Sequence, residues 1–82
     1  VDVREADEFA GGHVPNAINV PLSALRWRHV ELPKDREIWL CCGVGQRAYY
    51  ATRFLAQHGF RPRNLSGGYA TYKMLKAAQL VA

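Results

Sequence analysis

Eighty-two residues suffice for one small domain, and a hydrophobic content of 49% is that of an ordinary globular protein rather than a disordered chain. No apolar run approaches the roughly 18 residues a membrane-crossing helix needs, and Val1-Asp2-Val3-Arg4 opens on a strand-like segment, not a signal peptide. The formal net charge of +4 is scattered over Arg26, Arg28, Arg53, Arg61, Arg63, Lys73 and Lys76. That scatter lacks the basic stripe and stacking aromatics of a nucleic-acid binder; it suits a solvated surface or a mild field that draws in anionic substrates.

In chain order, residues 1–3 read as the end of a buried strand. Residues 5–10 form a helical turn with Glu5, Asp7 and Glu8 near its start, the end that favours acids, and Gly11-Gly12 stops it. Residues 17–20 alternate like a short strand that Pro21 closes. Ser23 is a candidate N-cap for a helix over 24–28, and Leu32-Pro33-Lys34-Asp35 is a turn into a strand over 37–41. From 46 to 58, Tyr49, Tyr50, Phe54 and Leu55 fall near helical spacing, with Gly59 as the residue just past the end. Residues 63–65 are too short to assign from pattern alone. Residues 69–78 make a last amphipathic helix with Tyr72, Met74 and Leu75 as candidate core. Short strands alternating with helices predict a single α/β domain, residues 1–82, with a mainly parallel sheet.

Chemistry concentrates in Cys42-Gly43-Val44-Gly45-Gln46-Arg47. A cysteine directly after a strand opens a glycine-punctuated loop, and the loop ends in an arginine where a helix begins. Glycines let the backbone turn several N–H groups inward, and the helix start adds partial positive charge. Such a cradle draws a thiol toward its anionic, nucleophilic form. The loop stands at the carboxyl end of a strand, where α/β sheets place their ligands.

Cys42, Gly45 and Arg47 fit the pattern Cys, two residues, Gly, one residue, Arg, and the loop resembles the active-site loop of the rhodanese (sulfurtransferase) family. Asp2-Val3-Arg4, Glu8-Phe9 and the segment from Gly12-His13-Val14-Pro15 to Pro21 resemble the family's amino-terminal signature, and Asn64-Leu65-Ser66-Gly67-Gly68-Tyr69 its carboxy-terminal one. Three motifs in the right order make a specific match, where a lone Cys-to-Arg spacing would be weak. The resemblance implies a rhodanese-like fold in which residues 63–65 form a strand. It also implies that a first strand and helix precede Asp2, so that this chain is a fragment of a longer, multidomain protein.

The resemblance further implies that Cys42 is a nucleophile carrying sulfur as a persulfide, with Gly43, Val44, Gly45, Gln46 and Arg47 as its anion-binding loop. Donors would be thiosulfate or persulfides, and acceptors thiols or cyanide. Cys42 to Ala51, Arg53 to Phe60 and Asn64 to Tyr69 are similar to the rhodanese domain behind bacterial coenzyme A-disulfide reductases and related persulfide reductases. That similarity implies a reductase partner or fused domain carrying FAD and NAD(P)H, coenzyme A persulfide among the substrates, and no cofactor in the domain itself. Metal binding is not expected, since the chain has no Cys-x-x-Cys and His13, His29 and His58 lack ligand spacing.

Each residue also has a plainer reading. Cys42 could be a small buried hydrophobe, and Arg47 a surface residue rather than a brace for the loop. Cys41 reads as a strand-end core residue. Side chains alternate along a strand, which sets it on the face opposite Cys42 and argues against a resolving thiol. Adjacent cysteines make a very strained bridge, so both are expected reduced in the cytoplasm. Counted from Cys41, the loop has the Cys-x5-Arg spacing of phosphatases and arsenate reductases that share the rhodanese-like fold, but Leu40 stands where those carry His. A non-catalytic docking module is a further alternative. Asp2, Arg4 and Glu8 read as a buried brace between the first strand and its helix, His13 as a structural histidine, and Gly67-Gly68 as a close approach to the loop. Tyr69 and Tyr72 would line the pocket wall.

Overall fold

Apolar alternation sets the centre of the domain. In a computed structural model of the chain, which describes residues 1–65 and 67–78, strand β1 (Glu37–Leu40) turns Ile38 and Leu40 inward and leaves Glu37 and Trp39 outside. Strand β2 (Arg61–Asn64) runs parallel to it, with Glu37 opposite Arg61 and Leu40 opposite Asn64. Helix α3 (Gln46–Gln57) makes the crossover between them. It buries Ala48, Ala51 and Leu55 on one stripe, and the two alanines let the helix lie close to the sheet.

The amino-terminal segment continues the sheet through single bridges. Asp2 pairs in parallel with Cys41 on one side and Asn19 on the other. Its neighbours bond to both flanks, Val3 N–H to the Cys41 carbonyl at 2.8 Å and Leu22 N–H to the Val3 carbonyl at 2.9 Å. The strands expected over 1–3 and 17–20 are thus isolated bridges, because Pro21 and the turn at Ala17 cut the second segment short.

Helix α1 (Ala6–Ala10) follows Glu5, whose N–H donates to the Glu8 carboxylate at 3.0 Å. Leu22–Ala24 is a 3-10 turn before α2 (Leu25–Arg28). Ser23 therefore lies inside the turn instead of capping α2, and its hydroxyl donates to Glu5. A last helix, α4 (Gly68–Ala77), starts one residue earlier than the pattern suggested. The core gathers Val3, Val20, Leu25, Leu32, Ile38, Leu40, Leu55 and Phe60 around Cys42 and the α3 alanines.

One expected core residue, Met74, and two tyrosines of the helical pattern lie outside the core. Tyr49 and Tyr50 are 44% and 57% exposed on α3, and Met74 is 70% exposed on α4. The small alanines, not the tyrosines, set the α3 contact, since a large ring could not fit between a closely packed helix and strand.

Candidate active site

The sequence Leu40-Cys41-Cys42-Gly43 carries β1 straight into the loop, so Cys42 keeps the inward parity of Ile38 and Leu40. It is 1% exposed. Its Sγ accepts the Gly45 N–H at 3.0 Å and the Ala48 N–H at 3.3 Å. Gly45 precedes α3 with φ of 106°, a left-handed conformation that glycine adopts without strain. Helix α3 has no side-chain N-cap; the cysteine sulfur takes an orphan N–H of its first turn. Among the described residues, the N–H groups of Gly43, Val44, Gln46 and Arg47 find no acceptor.

Helix α4 holds the back of the loop. Tyr69 N–H donates to the Cys42 carbonyl at 2.6 Å and Ala70 N–H to the Gly43 carbonyl at 3.0 Å. In a trans peptide the carbonyl and the following N–H point in opposite directions. Bonds on these carbonyls therefore turn the Gly43 and Val44 N–H groups away from α4. Gly67 and Gly68, both with positive φ, make this approach possible. The Asn64 amide donates to the Gly45 carbonyl at 3.2 Å from the end of β2.

Two ion pairs fix the surroundings. Arg47 grips Glu8 with two bonds, 2.7 and 3.1 Å, and so ties the start of α3 to α1. Arg4 and Asp2 form a buried pair at 2.9 Å; Arg4 also donates to the Gly12 carbonyl and lies 4.3 Å from the centre of the Tyr69 ring. Glu8 thus braces Arg47 and is no member of the Asp2–Arg4 pair. The Arg47 bonds, with the Glu5 N–H second, pull the Glu8 carboxyl down to about 2 from an ordinary 4.5. A depressed carboxylate stabilises the fold above its unfolded value and loses that contribution as pH falls through its folded one. Wild type should therefore lose stability between about pH 4.5 and about 2, and Glu8→Gln should show a flatter profile in thermal melts across that window. Equal slopes for the two proteins would count against this brace.

Cys41 faces the other way. It lines a cavity of about 200 Å³ with Trp39, Pro15 and Leu65, and burial first, then the Asp2 charge, pushes its thiol up to about 11. Both cysteines are free thiols. The Gly45 and Ala48 N–H groups both reach the Cys42 sulfur, while the Cys41 sulfur lies against the Cys42 carbonyl. His13 stacks on Phe9 at 3.7 Å and bonds the Phe9 carbonyl through Nδ1, a structural placement. Among the described residues, no group of three or more His, Cys, Asp or Glu could hold a metal ion.

The rhodanese-like domain family matches residues 1–75. The chain belongs to that family. A sulfurtransferase from Allochromatium vinosum is 41% identical over 69 residues, covering 83% of this chain and 64% of that protein. Reduced Bacillus anthracis CoADR-RHD superposes with a TM-score of 0.89 at 37% identity, over 99% of this chain but 14% of its own. The NAD-dependent persulfide reductase from A. fulgidus gives 0.69 at 37% identity, over 82% of this chain and 12% of its own. This rhodanese-like domain spans less than two thirds of the length of the A. vinosum relative.

Of the site residues expected from sequence, the fold brings Cys42, Gly43, Val44, Gly45, Gln46 and Arg47 into one loop and sets Gly67 and Gly68 behind it. Asp2 and Arg4 support it at one remove through Gly12 and Tyr69. Asn64 was not singled out, although it opens the Asn64-Leu65 motif; an asparagine at a strand end next to a glycine loop was the available signal.

Proposed function

We propose that this domain is a sulfurtransferase that carries sulfane sulfur as a persulfide on Cys42. The observation that carries the reading is the buried Cys42 sulfur with backbone N–H groups of Gly45 and Ala48 on it, and further loop N–H groups left without acceptors among the described residues. In the first half-reaction the Cys42 thiolate attacks the outer sulfur of a donor R–S–SH. The new S–S bond forms as the old one breaks, and R–SH leaves with the proton (sulfite leaves when the donor is thiosulfate). In the second, a thiolate acceptor or cyanide takes the outer sulfur and Cys42 returns as thiolate. Each step displaces one sulfur by another nucleophile without net electron loss, so the domain needs no metal or organic cofactor of its own. The unbonded loop N–H groups would stabilise the terminal sulfur anion, as an oxyanion hole stabilises oxygen.

The loop's character supports persulfide donors over thiosulfate. Gly43, Val44 and Gln46 carry no charge, Val44 is 73% exposed, and the Arg47 charge is already engaged by Glu8. A dianion would find little fixed positive charge there. Likeness to CoADR-RHD and to a persulfide reductase supports a setting in which the domain exchanges sulfur with an FAD- and NAD(P)H-dependent reductase, fused or separate, in a reducing compartment such as the cytoplasm. Coenzyme A persulfide is a candidate substrate in that setting.

Intact mass after incubation with thiosulfate, and separately with a small organic persulfide, tests the reading. Wild type and Cys41→Ser should each gain one sulfur atom, and Cys42→Ser none. An adduct that depends on Cys41 would move the chemistry to the phosphatase register. No adduct from a folded sample would favour a docking module.

A further inference from the structure

We infer that Asn64 is a positioning residue for Cys42, holding the Gly45–Gln46 peptide so that the Gln46 N–H faces the sulfur. The inference rests on the sulfurtransferase reading and adds a side chain to the loop's machinery. Gly45 is the residue whose backbone most needs holding: its φ of 106° is open to glycine alone, and glycine's freedom leaves both flanking peptide planes free to rotate. Its carbonyl accepts two bonds, from Tyr49 N–H at 3.0 Å along α3 and from the Asn64 amide at 3.2 Å across from β2. The following N–H, that of Gln46, points the opposite way in a trans peptide. That direction is the start of α3, where Cys42 Sγ already accepts from Gly45 and Ala48.

Three loop carbonyls, those of Cys42, Gly43 and Gly45, are thus held by the β2–α4 segment, two by backbone N–H groups and one by a side chain. The side-chain member is poorly explained by stability. Tyr49 already satisfies the Gly45 carbonyl, while the Asn64 Oδ1 is buried with no partner among the described residues. A buried acceptor left unpaired is a cost to the fold that an apolar residue of the same shape would avoid. What asparagine supplies in return is a donor aimed at one particular carbonyl.

The test compares wild type, Asn64→Leu and Asn64→Asp in the full chain. The readouts are the rate of sulfur gain from a small organic persulfide, the iodoacetamide alkylation rate of Cys42 by peptide-resolved mass, and the melting temperature. Asn64→Leu should melt at or above wild type yet take sulfur about tenfold more slowly, less than the loss seen when an oxyanion-hole donor is itself removed. Asn64→Asp should be slow near about pH 8 and recover toward wild type near about pH 5, because burial against the Gly45 carbonyl raises the new carboxyl above its ordinary value of about 3.9 and the protonated form can again donate. Asn64→Leu should stay slow at both. Wild-type rates in Asn64→Leu would overturn the inference; so would an Asn64→Asp deficit that ignores pH. Should Asn64→Leu melt early, the Asn64→Asp recovery decides alone. Should wild type take no sulfur, the sulfurtransferase reading fails by itself, and the alkylation rates still judge Asn64.

Discussion

Gly68→Ala should leave Cys42 unable to accept sulfur and should lower the melting temperature by roughly 10 °C or more. Gly68 has φ of +59°, where an alanine costs about 1–2 kcal/mol. The larger penalty is steric. A Cβ there would collide with the Cys42 carbonyl oxygen and stand 2.9 Å from that of Gly43. These are the two atoms that Tyr69 and Ala70 hold, so α4 cannot retreat without releasing the loop. Overpacking of this kind costs about 1–3 kcal/mol, which brings the sum to about 2–5 kcal/mol. Gly43→Ala is the contrast: its Cβ would meet only the Arg47 guanidinium, at 3.2 Å, the far end of a flexible side chain. Thermal melts of both variants, with sulfur uptake measured well below each melting point, check the difference. A Gly68→Ala protein that takes sulfur at the wild-type rate would show that the α4 clamp is dispensable.

The contrast between the two glycines also shows what a sequence can and cannot convey. The Cys42 loop was legible because local rules fix it: strand parity sends Cys42 inward and Cys41 outward, and Gly45 marks the left-handed step. Helix α3 was legible in extent but not in facing. Its tyrosines fall at helical spacing, while the face that packs is chosen by how close the helix must come, and alanines win that contest. Strand β2 was nearly invisible, since Arg61-Pro62-Arg63-Asn64 has no apolar alternation. It exists because α3 delivers the chain beside β1, and because an edge position tolerates Pro62. The partner of Glu8 was hidden for a similar reason, being set by the packing of α1 against the start of α3, 39 residues away.

Asp2→Ala should be strongly destabilising although it lies outside the loop. Asp2 is fully buried and Arg4 is 6% exposed, and the carboxylate accepts from the Arg4 backbone N–H at 3.0 Å as well as from its guanidinium. Removing it leaves a buried guanidinium without its counter-charge, a loss of about 3–5 kcal/mol. The whole stability of an ordinary domain is only about 5–15 kcal/mol, and a small one sits toward the lower end. The effect should reach the active site, because Arg4 also holds the Gly12 carbonyl and the Tyr69 ring, and the Tyr69 N–H holds the Cys42 carbonyl. Arg4→Met paired with Asp2→Ala separates the two consequences. With both charges gone, much of the stability should return, since an apolar pair avoids the desolvation cost. Sulfur uptake should return only in part, because nothing then grips Gly12. Urea denaturation gives the first quantity and intact mass the second. A loss below about 1 kcal/mol in Asp2→Ala, the scale of an exposed pair, would mean that water reaches the guanidinium. Full recovery of uptake in the double variant would mean that the Arg4 contacts to Gly12 and Tyr69 do not position the loop.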